Sequence, residues 1–228
     1  MYTTCKPRMK LSALLCFLLL LCAFLCACSG SGSSAGPLVP VALFEGGRLY
    51  KVGPIPVLQL HGTHYEMGRQ YGALLRAELN AAYSLMISTF SPFVSYNRMK
   101  QIAYNVYSRL EQQQKDIIAG MAETSGLGLE QQIILNALEW IPKIDRFVPH
   151  CSGFGVWGNY TGDGKLIFGR NNDDTPILYG PFGAYVVVAV FNPTGSGIPV
   201  ANVNYAGVVY AATAMNRSGI FAEFNSGN

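Results

Sequence analysis

The sequence predicts an α+β fold in which helices and strands occupy different parts of the chain. Apolar residues recur at helical spacing between about Thr63 and Ile141, whereas the residues after Pro149 form short β-rich runs separated by glycine, aspartate and asparagine turns. Half of the 228 residues are apolar and 13% are charged, which excludes a disordered chain and provides a substantial core. The net charge of +3 is too small to indicate a nucleic-acid partner.

The N-terminal residues have the composition of a secretory signal. The basic stretch CKPRMK precedes an apolar run from Leu11 to Ala27, and the small and polar stretch CSGSGSSAGP follows it. The apolar run is slightly shorter than the ~20 residues that span a bilayer comfortably. We therefore expect residues 1–27 to be removed as a signal peptide, with a retained anchor helix as the alternative.

The end of the apolar run, LCAC, resembles the box at which bacterial lipoproteins are cleaved before a lipid-bearing cysteine. Cys28 would be the lipidated residue, and the mature protein would be an exported lipoprotein on the periplasmic or extracellular side of a bacterial cell membrane. Ordinary cleavage near Ala27 would instead leave Cys28 as a thiol in the tail. Residues 28–38 are rich in serine, glycine and proline, which predicts a flexible lipidated tether.

The folded part begins near Val39 with a helical half. The strand-like stretch RLYKVGPIPVLQLHG leads to a first helix within THYEMGRQYGALLRAELNAAYSLMISTF, for which Thr63 and Glu66 form a capping box. A second helix is expected from about Tyr96 to Glu123. A third helix lies in LEQQIILNALEWI, directly after the turn SGLG.

The strand half is expected to consist of antiparallel hairpins. Its β-rich runs include CSGFGVWGNY, LIFGRN, GAYVVVAVFN and GIFAEFN, and turn sequences such as TGDGK and PTGSG separate them. The last run ends the sequence with sheet edges that still need partners. We therefore expect the sequence to be incomplete at its C terminus.

Cys151 lies at the junction of the two halves and is the candidate nucleophile. Removal of the signal leaves Cys28 and Cys151 as the cysteines of the mature chain, so an intramolecular disulfide is not expected. A nucleophilic cysteine usually needs a histidine as its base. His150 is adjacent in an extended segment and would point to the opposite face, so a papain-like dyad would need His61 or His64.

A cysteine can also act without a histidine. Cleavage directly before Cys151 would create an α-amino group with an intrinsic pKa of about 7.7 to 8.0, which can serve as a general base near neutral pH. The nucleophile and the base would then belong to one residue. Such a site still needs an anchor for the amine, a donor near the thiol and an oxyanion hole.

The segment CSGFGVWGNYTGDGKLIFGRNNDD resembles the start of the catalytic chain in cysteine N-terminal nucleophile (Ntn) hydrolases. This group includes choloylglycine hydrolase, penicillin V acylase, acid ceramidase and acyl-coenzyme A:6-aminopenicillanic acid acyltransferase. The shared pattern is a strand that begins with cysteine, a turn, a second strand and then Gly-Arg-Asn-x-Asp. The resemblance implies that Arg170 lies beside the Cys151 thiol and that Asp173 orients the freed amine, with Asp174 as an alternative carboxylate.

A second segment, AMNRSGIFAEFN, is similar to the strand of these enzymes that ends in an oxyanion-binding asparagine. The matching residue is Asn225, although the spacing is one residue shorter than in the bile-salt hydrolases, and Asn216 is the alternative. The helical segments GTHYEMGRQYGALLRAEL and GMAETSGLGLEQQIILNALEW are similar to the pro-segment of the acyltransferase branch. Precursors of that branch cleave themselves before the cysteine and keep the upstream piece as an α subunit.

The resemblance therefore implies an αββα sandwich of two antiparallel sheets flanked by helices. Cleavage would fall between His150 and Cys151, so that residues 39–150 form a helical pro-segment that stays bound as the α subunit. Residues 151–228 would be the N-terminal part of a truncated catalytic β subunit.

The implied activity is that of an amidohydrolase or acyltransferase acting on linear carbon-nitrogen bonds other than peptide bonds. Its substrate would be a small N-acyl amide or an acyl thioester, with no metal or organic cofactor and no nucleic-acid partner. Because cysteine is often buried as a small hydrophobic residue, a non-catalytic lipid-anchored binding protein with an inert Cys151 is an alternative. The papain-like protease is the other.

Overall fold

The computed structural model describes residues 38–142, 151–173 and 180–225. Residues Val39–Asn228 belong to one compact unit. The signal segment 1–27 and the site residues Cys28, His150 and Asp174 lie outside the described residues. Among the helices of the described ranges, none has both the length and the apolar character required to cross a membrane.

The described residues form five α-helices, and the first of them begins at its predicted cap. The Glu66 amide donates to Thr63 Oγ1 at 3.2 Å, and the Glu66 carboxylate accepts from the Thr63 amide at 2.7 Å, which confirms the capping box. The helices are α1 His64–Leu74, α2 Arg76–Phe90, α3 Tyr96–Ser108, α4 Gln112–Ser125 and α5 Leu129–Asn136.

Two of the predicted helices are each divided in two. The first is interrupted at Leu75, whose φ of −117° and ψ of 27° are not helical. The second was expected to run from Tyr96 to Glu123, but α3 ends at Ser108 and α4 begins after Glu111. The Glu111 amide donates to the Gln114 side chain at 3.1 Å, which starts a new helix. Apolar spacing continues across both breaks, and for this reason the periodicity alone did not reveal them.

The strands complete an α+β fold, which confirms the predicted class. A main sheet has seven strands in the order β1-β2-β3-β6-β7-β8-β9, and β4 and β5 form a separate two-stranded sheet, here called the nucleophile hairpin. The strands are β1 Ala42–Phe44, β2 Gly47–Val52, β3 Ile55–Gly62, β4 Ser152–Gly158, β5 Gly164–Asn171, β6 Val186–Pro193, β7 Val200–Tyr205, β8 Thr213–Asn216 and β9 Phe221–Glu223.

The expectation of purely antiparallel sheets is wrong for one pair of strands. β3 and β6 run parallel, with Val57 opposite Val188 and Leu60 opposite Phe191. Parallel neighbours need a long crossover connection, and here the five helices and the nucleophile hairpin lie between the two strands along the chain. The pairing also means that strands from both sides of Cys151 belong to the main sheet.

The helices cover one face of the main sheet. α1 and α4 approach each other closely at glycines, since a Cβ atom on Gly68 would overlap the backbone of Ile117 and one on Gly120 would overlap the backbone of Tyr65. The side chains buried in this layer come from both helices and strands. Those that are fully buried include Leu58, Leu60, Met67, Tyr71, Leu75, Leu79, Ile118 and Met121.

The nucleophile hairpin lies against the opposite face of the main sheet, at the β8–β9 end. The ring of Phe168 on β5 stacks on that of Phe221 on β9, with centroids 4.6 Å apart. The turn that closes the hairpin contains Gly158 and Gly164 with φ values of 61° and 73°, and the Lys165 amide donates to Asp163 at 3.1 Å. The hairpin therefore brings its inner face to the edge strands of the main sheet.

Candidate active site

The register of the nucleophile hairpin places the Cys151 thiol and the Arg170 side chain on one face. Gly153 lies directly opposite Arg170 in the antiparallel pair, and residues that face each other in this way share a side of the sheet. Cys151 precedes Gly153 by two positions, so the alternation of an extended chain gives it the same side. The spacing of the Gly-Arg-Asn-x-Asp pattern thus brings its arginine to the cysteine.

The half-buried Cys151 is a free cysteine with two hydrogen-bond partners, one next to the end of β5 and one directly after that strand. The Nη2 atom of Arg170 donates to Cys151 Sγ at 3.3 Å, and the thiol contacts Asn172 Oδ1 at 3.4 Å. The thiolate is the nucleophilic form of cysteine. A guanidinium donor beside the sulfur is suited to stabilise that form.

The guanidinium of Arg170 is held by the main sheet. Its Nη1 atom donates to Thr213 Oγ1 at 2.5 Å, and its Nη2 atom also donates to the carbonyl oxygen of Phe224 at 2.6 Å. Thr213 begins β8 and Phe224 follows β9. Sequence reasoning missed both acceptors because they lie in the other layer and belong to no shared motif.

Asp173 and Asn225, the two other residues implied by the resemblance, make their side-chain hydrogen bonds with residues other than Cys151 and Arg170. Both carboxylate oxygens of Asp173 accept from Asn171 Nδ2, at 2.7 and 2.8 Å. Because Asn171 is adjacent to Arg170 in β5, it faces the opposite side of the hairpin. Asn225 donates through Nδ2 to Glu223 Oε1 at 2.9 Å, so its bonded partner is a residue that the sequence analysis did not select.

The alternative asparagine, Asn216, supports a turn. Its Oδ1 atom accepts from the Ile220 amide at 2.9 Å, and its backbone carbonyl accepts from Gly219 at 3.0 Å. These bonds close the tight connection between β8 and β9. The side chain of Asn216 is thus used in the turn, whereas that of Asn225 bonds to Glu223.

Neither histidine within the described residues contacts the thiol. The exposed His61 lines a cavity with Arg48, Gln59 and Arg217, and Cys151 is not part of that lining. His64 begins α1 and lines a different cavity beside Gln113 and Ile198. The described geometry consequently provides no histidine base for Cys151.

A small cavity adjoins the thiol through its two partners. Arg170, Asn172 and Thr213 supply polar groups to the wall, and Val186 and Val203 supply apolar ones. Its volume of about 200 Å³ is below the ~300 to 1,000 Å³ typical of pockets for drug-sized ligands. The cavity can therefore receive one small group beside Arg170 and Asn172.

A buried carboxyl lies near the end of the helical half. Glu139 is 6% exposed, and its Oε2 atom accepts from the Tyr210 hydroxyl at 2.6 Å. The Tyr210 carbonyl in turn accepts from the side chains of Asn202 and Asn204, at 3.2 and 3.0 Å. This cluster ties the connection after β7 to the helical layer, behind the β8–β9 end of the main sheet.

Within the described residues, no group of three or more histidine, cysteine, aspartate and glutamate side chains is arranged to hold a metal ion. The chain matches no protein-family model, and no curated protein sequence matches it. Its chemistry must therefore be inferred from Cys151 and the residues around it.

Proposed function

We propose that the protein is a self-processing N-terminal nucleophile amidohydrolase or acyltransferase, with Cys151 as its nucleophile. The observation that carries this proposal is the hydrogen bond from Arg170 Nη2 to Cys151 Sγ, 3.3 Å long. A lone cysteine on a strand is more often a packing residue, but this one has a clamped guanidinium at its sulfur. The resemblance of the surrounding segment to cysteine Ntn hydrolases supports the same function.

Activation would proceed by cleavage between His150 and Cys151. The Cys151 thiol attacks the carbonyl carbon of His150, and the acyl group moves from nitrogen to sulfur. Water then hydrolyses the thioester, which leaves a carboxylate on His150 and a free α-amine on Cys151. The upstream chain remains bound as an α subunit.

The processed site would then act on a small N-acyl amide or acyl thioester. The α-amine accepts the thiol proton while sulfur attacks the substrate carbonyl carbon. Backbone N–H groups and Asn225 stabilise the oxyanion, and collapse of the intermediate expels the amine of an amide substrate, or the thiol of a thioester substrate, with the proton from the ammonium group. Water or an amine acceptor attacks the remaining thioester and restores the thiol.

The proposed fold is an αββα sandwich in which the nucleophile hairpin begins the second sheet. Two features support this arrangement: the stacking of Phe168 on Phe221, and the hydrogen bonds from Arg170 to Thr213 and Phe224 across the layers. The helices occupy the other face of the main sheet. In this proposal the site forms where the inner faces of the two sheets meet.

We also propose that the enzyme is exported and anchored to a bacterial membrane through Cys28. The support is the order of basic, apolar and small residues in the signal segment and the LCAC box. Metabolic labelling with a palmitate analogue tests this proposal. Label is expected on the full-length protein and not on a Cys28→Ala variant, and equal labelling of both would contradict it.

The deciding experiment is the intact mass of the protein expressed from residue 29, beside a Cys151→Ala variant. Two chains in the wild type, the second beginning at Cys151, together with an uncut variant, would establish self-processing. If both proteins fold and stay uncut, the free-amine mechanism fails. Processed protein would next be offered a panel of N-acyl amides to identify the acyl and amine groups.

The two alternatives make different predictions about the thiol. In a non-catalytic binding protein, Cys151 would be inert, so rapid labelling by iodoacetamide counts against that alternative. A papain-like protease would need a histidine base, so activity that survives replacement of both His61 and His64 excludes it. The contacts of Cys151 with Arg170 and Asn172 favour the proposed function over both.

A further inference from the structure

The cavity that His61 lines contains two arginines as well as the histidine. Arg48 comes from β2, His61 from β3 and Arg217 from the turn between β8 and β9, and Gln59 and Asn192 complete the polar part of the wall. The cavity volume of about 510 Å³ is within the ~300 to 1,000 Å³ typical of ligand pockets. We call this cavity the basic cleft.

The register of the strands gathers these side chains on one face of the main sheet. Arg48 lies opposite Gln59 in the β2–β3 pair, and His61 follows Gln59 by two positions, so the three side chains share one side. Leu58 and Leu60 alternate with them and are fully buried in the helical layer. The basic cleft therefore opens on the face opposite the helices, against which the nucleophile hairpin also packs.

A buried amide fixes the backbone that carries Arg48 and His61. Gln70 on α1 is 1% exposed, and its Nε2 atom donates to the carbonyl oxygens of Glu45 and His61 at 2.9 and 2.7 Å. Its Oε1 atom accepts from the His61 amide at 2.9 Å. Glu45 is in the turn that leads into β2. This wall of the cleft is consequently built before any ligand binds, which lowers the entropic cost of binding.

The backbone at Arg217 is also held in place, at a distance from the nucleophile. The Arg217 amide donates to the Pro199 carbonyl at 2.8 Å. Arg217 is four positions after Thr213, the acceptor of Arg170, which corresponds to ~13 Å along an extended chain at ~3.3 Å per residue. The basic cleft is therefore a site separate from the one around Cys151.

The positive charge of the basic cleft is not neutralised by the protein. Within residues 38–142, 151–173 and 180–225, the side chains of Arg48 and Arg217 take part in no ion pair or hydrogen bond. Two acids are close by, but Glu45 accepts from Arg69 at 3.0 and 2.8 Å, and Glu66 accepts from its helix cap. Both guanidinium groups are thus available to an anion.

The donors of the basic cleft suit a phosphate group better than a carboxylate. Each guanidinium presents a planar fork that matches two oxygens. A carboxylate has only two oxygens and one charge, whereas a phosphate monoester has three acceptor oxygens and a charge of about −1.5 to −2 at pH 7.

Gln59 supplies a further donor. Its Oε1 atom already accepts from the Tyr50 hydroxyl at 3.2 Å, which leaves the amide nitrogen for a ligand. Asn192 is not counted among the donors, because its Nδ2 atom donates to the Leu60 carbonyl at 2.9 Å. The cavity is larger than a phosphate group alone, so it has room for the organic part of an ester.

We infer that the basic cleft binds the phosphate group of a phosphate monoester. Arg48 and Arg217 bind its oxygens, and His61 and Gln59 donate further hydrogen bonds. The inference is independent of the proposed chemistry at Cys151, since it requires neither cleavage nor a reactive thiol. The same phosphate group occurs in soluble esters and in the headgroup of phosphatidic acid, and the test separates these two sources.

The probe is phenyl phosphate, titrated by calorimetry into the chain expressed from residue 29. We expect saturable binding, and Arg48→Gln and Arg217→Gln should each raise the Kd by about tenfold or more, because each removes charge-assisted hydrogen bonds. Lys51→Gln is the matched control, since it removes the same charge from β2 at an exposed position outside the cleft, and it should leave the Kd unchanged. The unfolding temperature of each variant without the probe verifies that it folds.

Vesicles distinguish the two sources of the phosphate group. Sedimentation with phosphatidylcholine vesicles that contain phosphatidic acid, but not with phosphatidylcholine alone, assigns the lipid headgroup if the Arg48 and Arg217 variants lose it. Binding of phenyl phosphate without sedimentation assigns a soluble ester. The inference is overturned if phenyl phosphate shows no saturable binding, if benzoate binds as tightly, or if Lys51→Gln weakens binding as much as the arginine variants do.

Discussion

The Nη2 atom of Arg170 lies 3.3 Å from the Sγ atom of Cys151 and also donates to the carbonyl oxygen of Phe224. The guanidinium at the thiol is thus fixed by residues of the main sheet, not by the hairpin that carries it. The reactivity of Cys151 should consequently respond to changes in β8 and β9.

Thr213→Val should slow the alkylation of Cys151 by iodoacetamide by roughly tenfold. The change removes the acceptor of Arg170 Nη1 at nearly constant volume, and a hydrogen bond to a charged group contributes about 1.5 to 3 kcal/mol. Thr161→Val is the matched control, because Thr161 bonds only within the turn of the hairpin, to the Gly158 carbonyl. Equal alkylation rates in the wild type and the Thr213 variant would contradict the clamp.

Arg170→Lys should delay self-processing by at least about tenfold, since one ammonium group cannot reproduce the planar fork that reaches Thr213, Phe224 and the thiol together. The measurement is the fraction of cut chain against time, by intact mass. The exposed Arg109 provides the control substitution to lysine. Processing at the wild-type rate in the Arg170 variant would argue that charge alone is sufficient.

Gly153→Ala should destabilise the protein by about 1 to 3 kcal/mol, the range for overpacking, because the new methyl group displaces the Glu223 carboxylate. Thermal unfolding measures the change. Gly162→Ala is the control, since a Cβ atom there meets nothing within 4 Å. If both variants unfold at the same temperature, Glu223 does not approach Gly153 closely.

Val203→Phe should lower kcat/KM for the longest acyl group that the wild type accepts, because the larger side chain fills part of the cavity. We expect a decrease of about 10-fold or more, the effect of one methylene group in an apolar pocket. Val203 lines the cavity of about 200 Å³ beside Arg170 and Asn172. The measurement is a series of N-acyl amides from acetyl to decanoyl. Val52→Phe, at the exposed end of β2, is the control. An unchanged chain-length profile would show that the acyl group binds elsewhere.

Stability should fall as the pH drops below about 4.5, partly through the pair of acids around Arg69. Hydrogen bonds from Arg69 hold the pKa of Glu45 below its ordinary 4.5, and bonds from Tyr65 and Arg69 do the same for Glu123. A carboxylate with a lowered pKa stabilises the fold above its ordinary value and loses this contribution as it becomes protonated. Arg69→Met should therefore show a weaker loss of stability in acid, measured by urea unfolding at pH 7 and pH 3.5. Identical pH dependence in both proteins would rule the network out as a cause.

The elements that depend on local chemistry were predictable from the sequence. The capping box of Thr63 and Glu66 and the turn between β4 and β5 each follow from residues a few positions apart. The closeness of Arg170 to Cys151 was implied by the resemblance to cysteine Ntn hydrolases, and the register of the hairpin supplies its physical reason.

The remaining features depend on contacts between distant segments. The break at Leu75 interrupts a continuous apolar pattern, and the parallel pairing of β3 with β6 depends on where the crossover returns. The positions of Thr213 and Glu223 are determined by the packing of the hairpin on the main sheet. A single sequence contains no local pattern for such packing, so these residues of the site became visible only in three dimensions.

The parallel pairing of β3 with β6 determines how many chains take part in refolding before and after cleavage. Before cleavage at the proposed site, both strands belong to one chain, and folding is independent of protein concentration. After cleavage they would belong to two chains that share a sheet and a core, so that separating the chains means unfolding them. Refolding of the processed protein from denaturant should then be a bimolecular process whose yield rises with concentration. After processing, the unfolded protein would therefore refold poorly from dilute solution, because its two chains must first meet.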